Sequence, residues 1–300
     1  MMRTPFVLAV VMFLAAVPAA KADLAEALAA YDAGDYAVAA RLLAPEAAAG
    51  SVEARFRLGL IYDRGQGVPA DPVRAEALFR AAAMAGQAEA QRVLGIYYAE
   101  GRGGLFQDFA QAAAWYRRAA DQGNAKAARN LGTLYFEGRG VAKDYGRAAE
   151  LFRRAADQGN AKAERNLAYM YFFGTGVTQD RGQAARLFAR AAGQGNPKAE
   201  YDLGFAYYNG QGVGRDYAAA AKLFRRAAEG GHAESQIFLG RMYLLGQGVA
   251  QNDEEAYFWI LLGAAQKPDL GAYYFQQLRP RLGEARMARI RARAAAWAPD

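Results

Sequence analysis

The 300-residue sequence contains no cysteine, one histidine and nine prolines. Without cysteine no disulfide can staple the fold, so a stable core has to come from packing alone. Thiol nucleophiles and cysteine-based zinc sites are excluded with it. Serine is confined to Ser51 and Ser235, which leaves the lone His232 too few partners for a nucleophilic triad. His232 could act as a general base, but it stands where other parts of the chain carry Asn as a helix cap, and capping is the simpler role. Aspartates recur about 36 residues apart, at positions suited to caps rather than clustered as a metal site needs. The residues therefore point to no enzyme chemistry, no metal and no cofactor.

Long apolar runs are scarce as well. Phe6 to Val17 is a run of 12, shorter than the roughly 20 residues that cross a bilayer as a helix. It follows Arg3 and precedes Pro18 and the small residues Ala20 and Ala22, which is the pattern of a signal peptide over residues 1–22, cut before Asp23. Such a leader predicts a periplasmic or secreted protein with no transmembrane segment once it is removed. Loss of Arg3 and Lys21 lowers the net charge from +7 to +5 (7 − 2). So small an excess over this length lacks the dense basic stripe of a nucleic-acid binder.

What the chain has instead is repetition. Leu-Gly-x-x-Tyr, with Ala once in place of Gly, recurs at Leu58, Leu94, Leu131, Leu167, Leu203 and Leu239, in steps of 36, 37, 36, 36 and 36. The extra residue lies at Gly101 to Leu105, where a loop absorbs it at little cost. Apolar residues between the marks keep helical spacing, which selects a helical solenoid over a propeller. Each unit carries its own punctuation. Asn124, Asn160, Asn196 or His232 precedes a first helix that should stop near Gly138, Gly174, Gly210 or Gly246. Asp71, Asp108, Asp144, Asp180, Asp216 and Asn252 then cap a second. Gly inside the first helix costs about 1 kcal/mol relative to Ala, and close approach of the second helix explains its recurrence. The pairs Leu78-Phe79, Trp115-Tyr116, Leu151-Phe152, Leu187-Phe188, Leu223-Phe224 and Trp259-Ile260 should fill the core. The Gly-x-Gly-Val segments follow a helix rather than a strand and read as turns, not phosphate loops.

These residues, from Ala-x-x-x-Leu-Gly-x-x-Tyr through Gly-x-Gly-Val, the capping Asp and the aromatic pair to Gly-Asn, resemble the Sel1-like repeat, a relative of the tetratricopeptide repeat. The resemblance implies an all-α, right-handed α-solenoid. Residues 51–265 would form six repeats, residues 23–50 an amino-terminal tetratricopeptide-like cap, and residues 266–300 carboxy-terminal capping helices. That last segment should hold helices over 270–278 and 280–297, with Met287, Ile290, Ala294 and Trp297 on one face.

By analogy with tetratricopeptides, the variable positions of the first helix should line a concave groove. They select Arg92, Lys126, Arg129, Lys162, Arg165, Tyr169, Phe172, Tyr201, Phe205 and Tyr208 as partner-binding residues. Basic and aromatic side chains together suit an acidic protein segment, or an anionic envelope polysaccharide whose sugars stack on rings. The resemblance implies a protein-interaction scaffold or adaptor of a bacterial envelope. A glycan or peptidoglycan binder is the alternative, and a hydrolase is the third class. The arginines of the final helix, Arg279 to Arg293, could also touch anionic lipid headgroups.

Overall fold

The computed structural model describes residues 24–298; the expected signal peptide, residues 1–22, lies outside them. Fifteen α-helices and no strands occur among the described residues. The chain divides into two compact units after Ala85. The described part of the first holds α1 (Leu24–Asp32), α2 (Tyr36–Ala48), α3 (Val52–Arg64) and α4 (Pro72–Met84). The second holds α5 (Ala88–Glu100), α6 (Phe109–Asp121), α7 (Ala125–Glu137), α8 (Tyr145–Asp157), α9 (Ala161–Phe173) and α10 (Arg181–Gly193). It continues through α11 (Pro197–Asn209), α12 (Tyr217–Glu229), α13 (Ala233–Leu245), α14 (Asp253–Gln266) and α15 (Pro268–Ala295). This division sets the first repeat with the amino-terminal helices, where the sequence pattern groups it with the other five. In a solenoid each repeat touches only its neighbours, so compactness can divide at any repeat boundary whatever the sequence pattern.

The caps work as their residue types require. The Asp144 carboxylate accepts the backbone N–H of Arg147, and the Asn160 amide oxygen accepts that of Ala163. His232 fills the same role before α13, its ring nitrogen accepting from Ser235 N–H. Gln87 replaces the usual Asn before α5 and makes no such bond. Within the second unit each helix packs chiefly against the helices before and after it in sequence, giving a stack of antiparallel hairpins.

The contact that sets the hairpin is the one between the interior Gly of the first helix and the aromatic or aliphatic residue of the second. A methyl group added to Gly132 would lie 2.8 Å from the Phe152 ring, and one at Gly95 would lie 2.6 Å from Tyr116. Phe152, Phe188 and Phe224 are at most 2 % exposed, and Ala112, Ala148, Ala184 and Ala220 are fully buried beside them. The second glycine of each Gly-x-Gly loop has a separate task. At Gly176, which holds φ +69°, an added Cβ would meet the carbonyl group of Tyr145 at 2.5 Å. Gly140, Gly212 and Gly248 lie equally close to the backbone opening α6, α10 and α12. These four loops thus seat their hairpins on the start of the preceding second helix, a role beyond that of a turn.

Buried ions add links that the apolar pattern does not reveal. Arg190 bonds Glu164, which is 1 % exposed, at 2.8 Å, and donates to the Ala156 carbonyl at 2.8 Å. Arg226 repeats this with Glu200 at 2.6 Å and the Ala192 carbonyl at 3.4 Å. One guanidinium so joins the first helix of its own repeat to the end of the second helix of the repeat before. At the carboxy terminus, Met287 and Ile290 are buried and Ala294 and Trp297 pack against the same cluster. The expected break near residue 279 is corrected: the helix runs through Pro280 and breaks at Gly283, whose φ 70°, ψ 160° only glycine adopts readily.

Two substitutions separate packing from helix propensity. Gly132→Ala should lower stability by about 1 kcal/mol, because overpacking of about 1–3 kcal/mol exceeds the roughly 1 kcal/mol helical gain. Ala168→Gly should also lower it by about 1 kcal/mol, from lost propensity. Urea denaturation of both variants checks this, and a Gly132→Ala chain more stable than the parent would remove the packing explanation.

Candidate functional site

Four of the ten residues expected to bind a partner come together in one groove. Lys126 and Arg129 of α7, with Lys162 and Arg165 of α9, line a groove of about 1010 Å³ that also takes in Lys198 at the start of α11. It runs past the amino-terminal ends of α9, α11 and α13, capped by Asn160, Asn196 and His232. The 36-residue period brings Lys126, Lys162 and Lys198 to equivalent positions in the first helices of three successive repeats. Each sits in a first turn, where the helix dipole adds a further partial positive charge. Among the described residues no carboxylate lines the groove.

The cations divide into free and committed ones. Among the described residues, Lys126, Lys162, Lys198 and Arg129 form no salt bridge. The Nε of Arg129 is buried without a hydrogen-bond partner. Burial, reinforced by the like charge of Arg92 and opposed by Tyr116, lowers the pKa of Arg129 from its ordinary value. It therefore holds its charge at a desolvation cost that an incoming anion would relieve. Arg165 is different. Its Nε donates to Asp202 at 2.5 Å, its Nη2 donates to the Tyr169 hydroxyl at 3.0 Å, and that hydroxyl donates to the other Asp202 oxygen at 2.6 Å. Asp202 is a buried carboxylate; burial raises its pKa, and the bonds from Tyr169 and Arg165 oppose that rise. Arg165 is thus a structural counter-ion as well as a groove wall.

Four aromatic candidates gather on the far side of that wall. Tyr169, Phe172, Tyr201 and Phe205, with Phe173, Phe188 and Asp202, line a pocket of about 170 Å³. Phe188 is its buried floor, while Phe173 is 64 % and Phe205 36 % exposed at the rim. Tyr201 leans on Phe224 and His232, with ring centroids 5.7 Å and 5.2 Å away. Its hydroxyl pKa is pushed up to about 12, by burial first and then by the charges of Asp202 and Glu234.

Two candidates fall outside both features. Arg92 of α5 pairs with Glu89 at 2.6 Å and lines neither. Tyr208 is 8 % exposed, edge-on to Tyr217 at 5.0 Å, and its hydroxyl donates to Gln247 at 2.6 Å. Both placements have one cause: a position variable among repeats can serve a repeat-specific contact as readily as a ligand. Residues the candidate set lacked are Lys198, Phe173 and Asp202. Lys198 shares the position of Lys126 and Lys162, a signal already present in the sequence. Asp202 had none, since a lone acid at a position that varies among repeats reads as solvated until its burial is seen.

Four of the six arginines of α15 are similarly paired. Arg281, Arg286 and Arg293 pair with Asp253, Glu254 and Glu255 in the first turn of α14, at 3.4, 3.8 and 2.5 Å, and Arg291 pairs with Glu284 at 3.1 Å. These pairs tie the final helix to the first turn of α14 as a carboxy-terminal cap, and Arg279 and Arg289 stand outside them. No described helix is long and apolar enough to cross a membrane, and no group of three or more metal-ligating side chains occurs among the described residues.

Comparison with known proteins agrees with this architecture. The family model of the Sel1 repeat matches residues 52–87, 88–124, 125–160, 161–196, 197–232 and 233–268. Among solved structures, the chain is similar to c5321, a protective antigen of uropathogenic Escherichia coli strains displaying an SLR fold. That match has 33% identity and a TM-score of 0.72, and covers 92% of this chain but 62% of the antigen. It is also similar to a Sel1 repeat protein from Oxalobacter formigenes, at 31% identity and a TM-score of 0.74, covering 81% of this chain and 97% of that one. No match is found among curated proteins.

Two measurements follow. Arg165→Ala strands the Asp202 carboxylate and should destabilise the chain by about 2–3 kcal/mol, below the 3–5 of a fully buried pair because Arg165 is partly exposed; Lys162→Ala should stay within about 0.5 kcal/mol. Equal denaturation midpoints for the two would show that Arg165 is not structural. The second concerns His232, whose pKa burial lowers. Its ring nitrogen accepts from Ser235 N–H, so protonation disrupts the cap. The unfolded chain then takes up the proton first, and stability present above about pH 6.5 is lost as pH falls toward the folded pKa. His232→Asn, which restores the capping residue of α7, α9 and α11, should flatten the fall in melting temperature between about pH 7 and 5.

Proposed function

The chain belongs to the Sel1 repeat family, and from that premise we propose that it is an exported, non-catalytic protein-interaction scaffold of the bacterial envelope, holding an acidic segment of a protein partner. The observation that carries the reading is the groove with four unpaired cations, three helix amino termini and no lining carboxylate among the described residues. Its charges are fixed by helices rather than by loops, so little ordering is needed when an anion arrives. Electrostatic attraction of this kind speeds encounter and orients a partner more than it sets final affinity. Export rests on the arrangement of Arg3, Phe6 to Val17, Pro18 and Ala20-Lys21-Ala22.

The test is fluorescence anisotropy of a labelled Gly/Ser peptide bearing a run of Glu, with chain purified from the envelope fraction of expressing cells. Binding should be strong at low salt and weaken markedly as the Debye length shrinks toward about 8 Å at physiological ionic strength. Lys126→Glu with Lys162→Glu should abolish it while leaving the circular dichroism melt unchanged. Equal binding by the charge-reversed chain would overturn the groove reading. Amino-terminal sequencing of the same preparation should read Asp23 first, and a start at Met1 would remove export from it.

A further inference from the structure

We infer that the pocket between α9 and α11 is an anchor site for one apolar side chain of the partner, Leu, Met or Phe in kind, held at a fixed distance from the acidic residues in the neighbouring groove. The inference rests on the protein-binding reading above and adds the recognition rule. The pocket of about 170 Å³ is too small for a typical small-molecule site of about 300–1,000 Å³, and suits a single side chain. Its rings come from both helices: Tyr169, Phe172 and Phe173 from α9, Tyr201 and Phe205 from α11, over the Phe188 floor from α10. Phe173 and Phe205 are exposed together on one pocket, and it is such contiguous apolar surface, rather than a lone exposed ring, that marks an interaction site.

A cationic side chain is a poorer occupant even though Asp202 borders the pocket. Both carboxylate oxygens are already taken, one by Arg165 and one by the Tyr169 hydroxyl, and Arg165 supplies the neutralising charge. An ammonium group entering there would meet a guanidinium beside it. The same triad forms the partition between pocket and groove, since Arg165 lines one and Tyr169 and Asp202 line the other. It stops an acidic residue from sliding into the aromatic side and an apolar residue from settling on the cationic side.

The helix fixes the separation. Lys162 and the ring residues Tyr169 and Phe173 lie seven and eleven positions apart on α9, which at 1.5 Å per residue is about 10–16 Å. An extended chain advances about 3.3 Å per residue, so the anchor lies about three to five residues from the acidic run. The partner is therefore a protein segment with several acids and one apolar residue at that spacing.

The test uses the Glu-run peptide again, alone and with a Leu placed next to the run, about four residues beyond it, or about eight beyond it. Leu at about four should tighten binding about tenfold, and the gain should persist at high salt, where the charge contribution fades. The other two placements should add less than about twofold. Phe173→Ala with Phe205→Ala, both at exposed positions, should erase the Leu gain while leaving the Leu-free peptide's affinity unchanged. The same affinity with and without Leu, or a gain that survives in the double variant, overturns the anchor and leaves the acidic groove standing. Failure of every peptide to bind overturns both. Binding of an oligogalacturonate that depends on Phe173 and Phe205 would overturn the peptide anchor in favour of a sugar.

Discussion

The contact of Gly132 with the Phe152 ring, repeated at Gly95 with Tyr116 and Gly204 with Phe224, sets the distance between the two helices of a repeat, and the placement of every other side chain follows from that distance. A helix interior gains about 1 kcal/mol from Ala over Gly, so glycine there is retained against local preference. Once the ring lies against bare backbone, the flanking alanines are fully buried. The remaining faces of the first helix are then free to differ from repeat to repeat. The site is built on those faces.

Charges inside the stack follow a different logic from those on its surface. Glu164, Glu200 and Asp202 are all buried, and each has an arginine partner. Removing such groups from water costs several kcal/mol apiece, which good geometry and further hydrogen bonds can offset but seldom exceed. Their value is in position: a guanidinium reaching from one repeat to a carbonyl of the last fixes rotation between hairpins that apolar packing alone would leave looser. Arg165 shows how such a structural pair also shapes the surface, since its bond to Asp202 joins a residue of the cationic groove to one of the aromatic pocket.

That partition gives the first helices two halves with different chemistry. Their amino-terminal turns carry the lysines and the helix dipoles, and their later turns carry the rings. In the binding mode we propose, a ligand lying across them would meet long-range attraction first and short-range packing second, so that rate and register come from the former and residence from the latter.

The period of 36, the caps at Asp144 and Asn160, and the stop at Gly138 are local properties, governed by neighbours a few residues away in the chain; for that reason the sequence alone determined the helices, the hairpins and the family. The Lys126 and Lys162 alignment was legible for the same reason, as identical repeat positions must share a face. The fates of Arg165 and Tyr208 were not. Each depends on a partner whose distance is set only when helices pack: Asp202 lies 37 residues from Arg165 and Gln247 39 from Tyr208. The break at Gly283 was hidden likewise, because Pro280 is the stronger local signal and only packing of the last turns onto α14 decides where the chain bends. Tertiary structure therefore decided which cations are free, which rings are exposed and where the two meet, since burial and pairing are properties of the packed stack and of no single repeat.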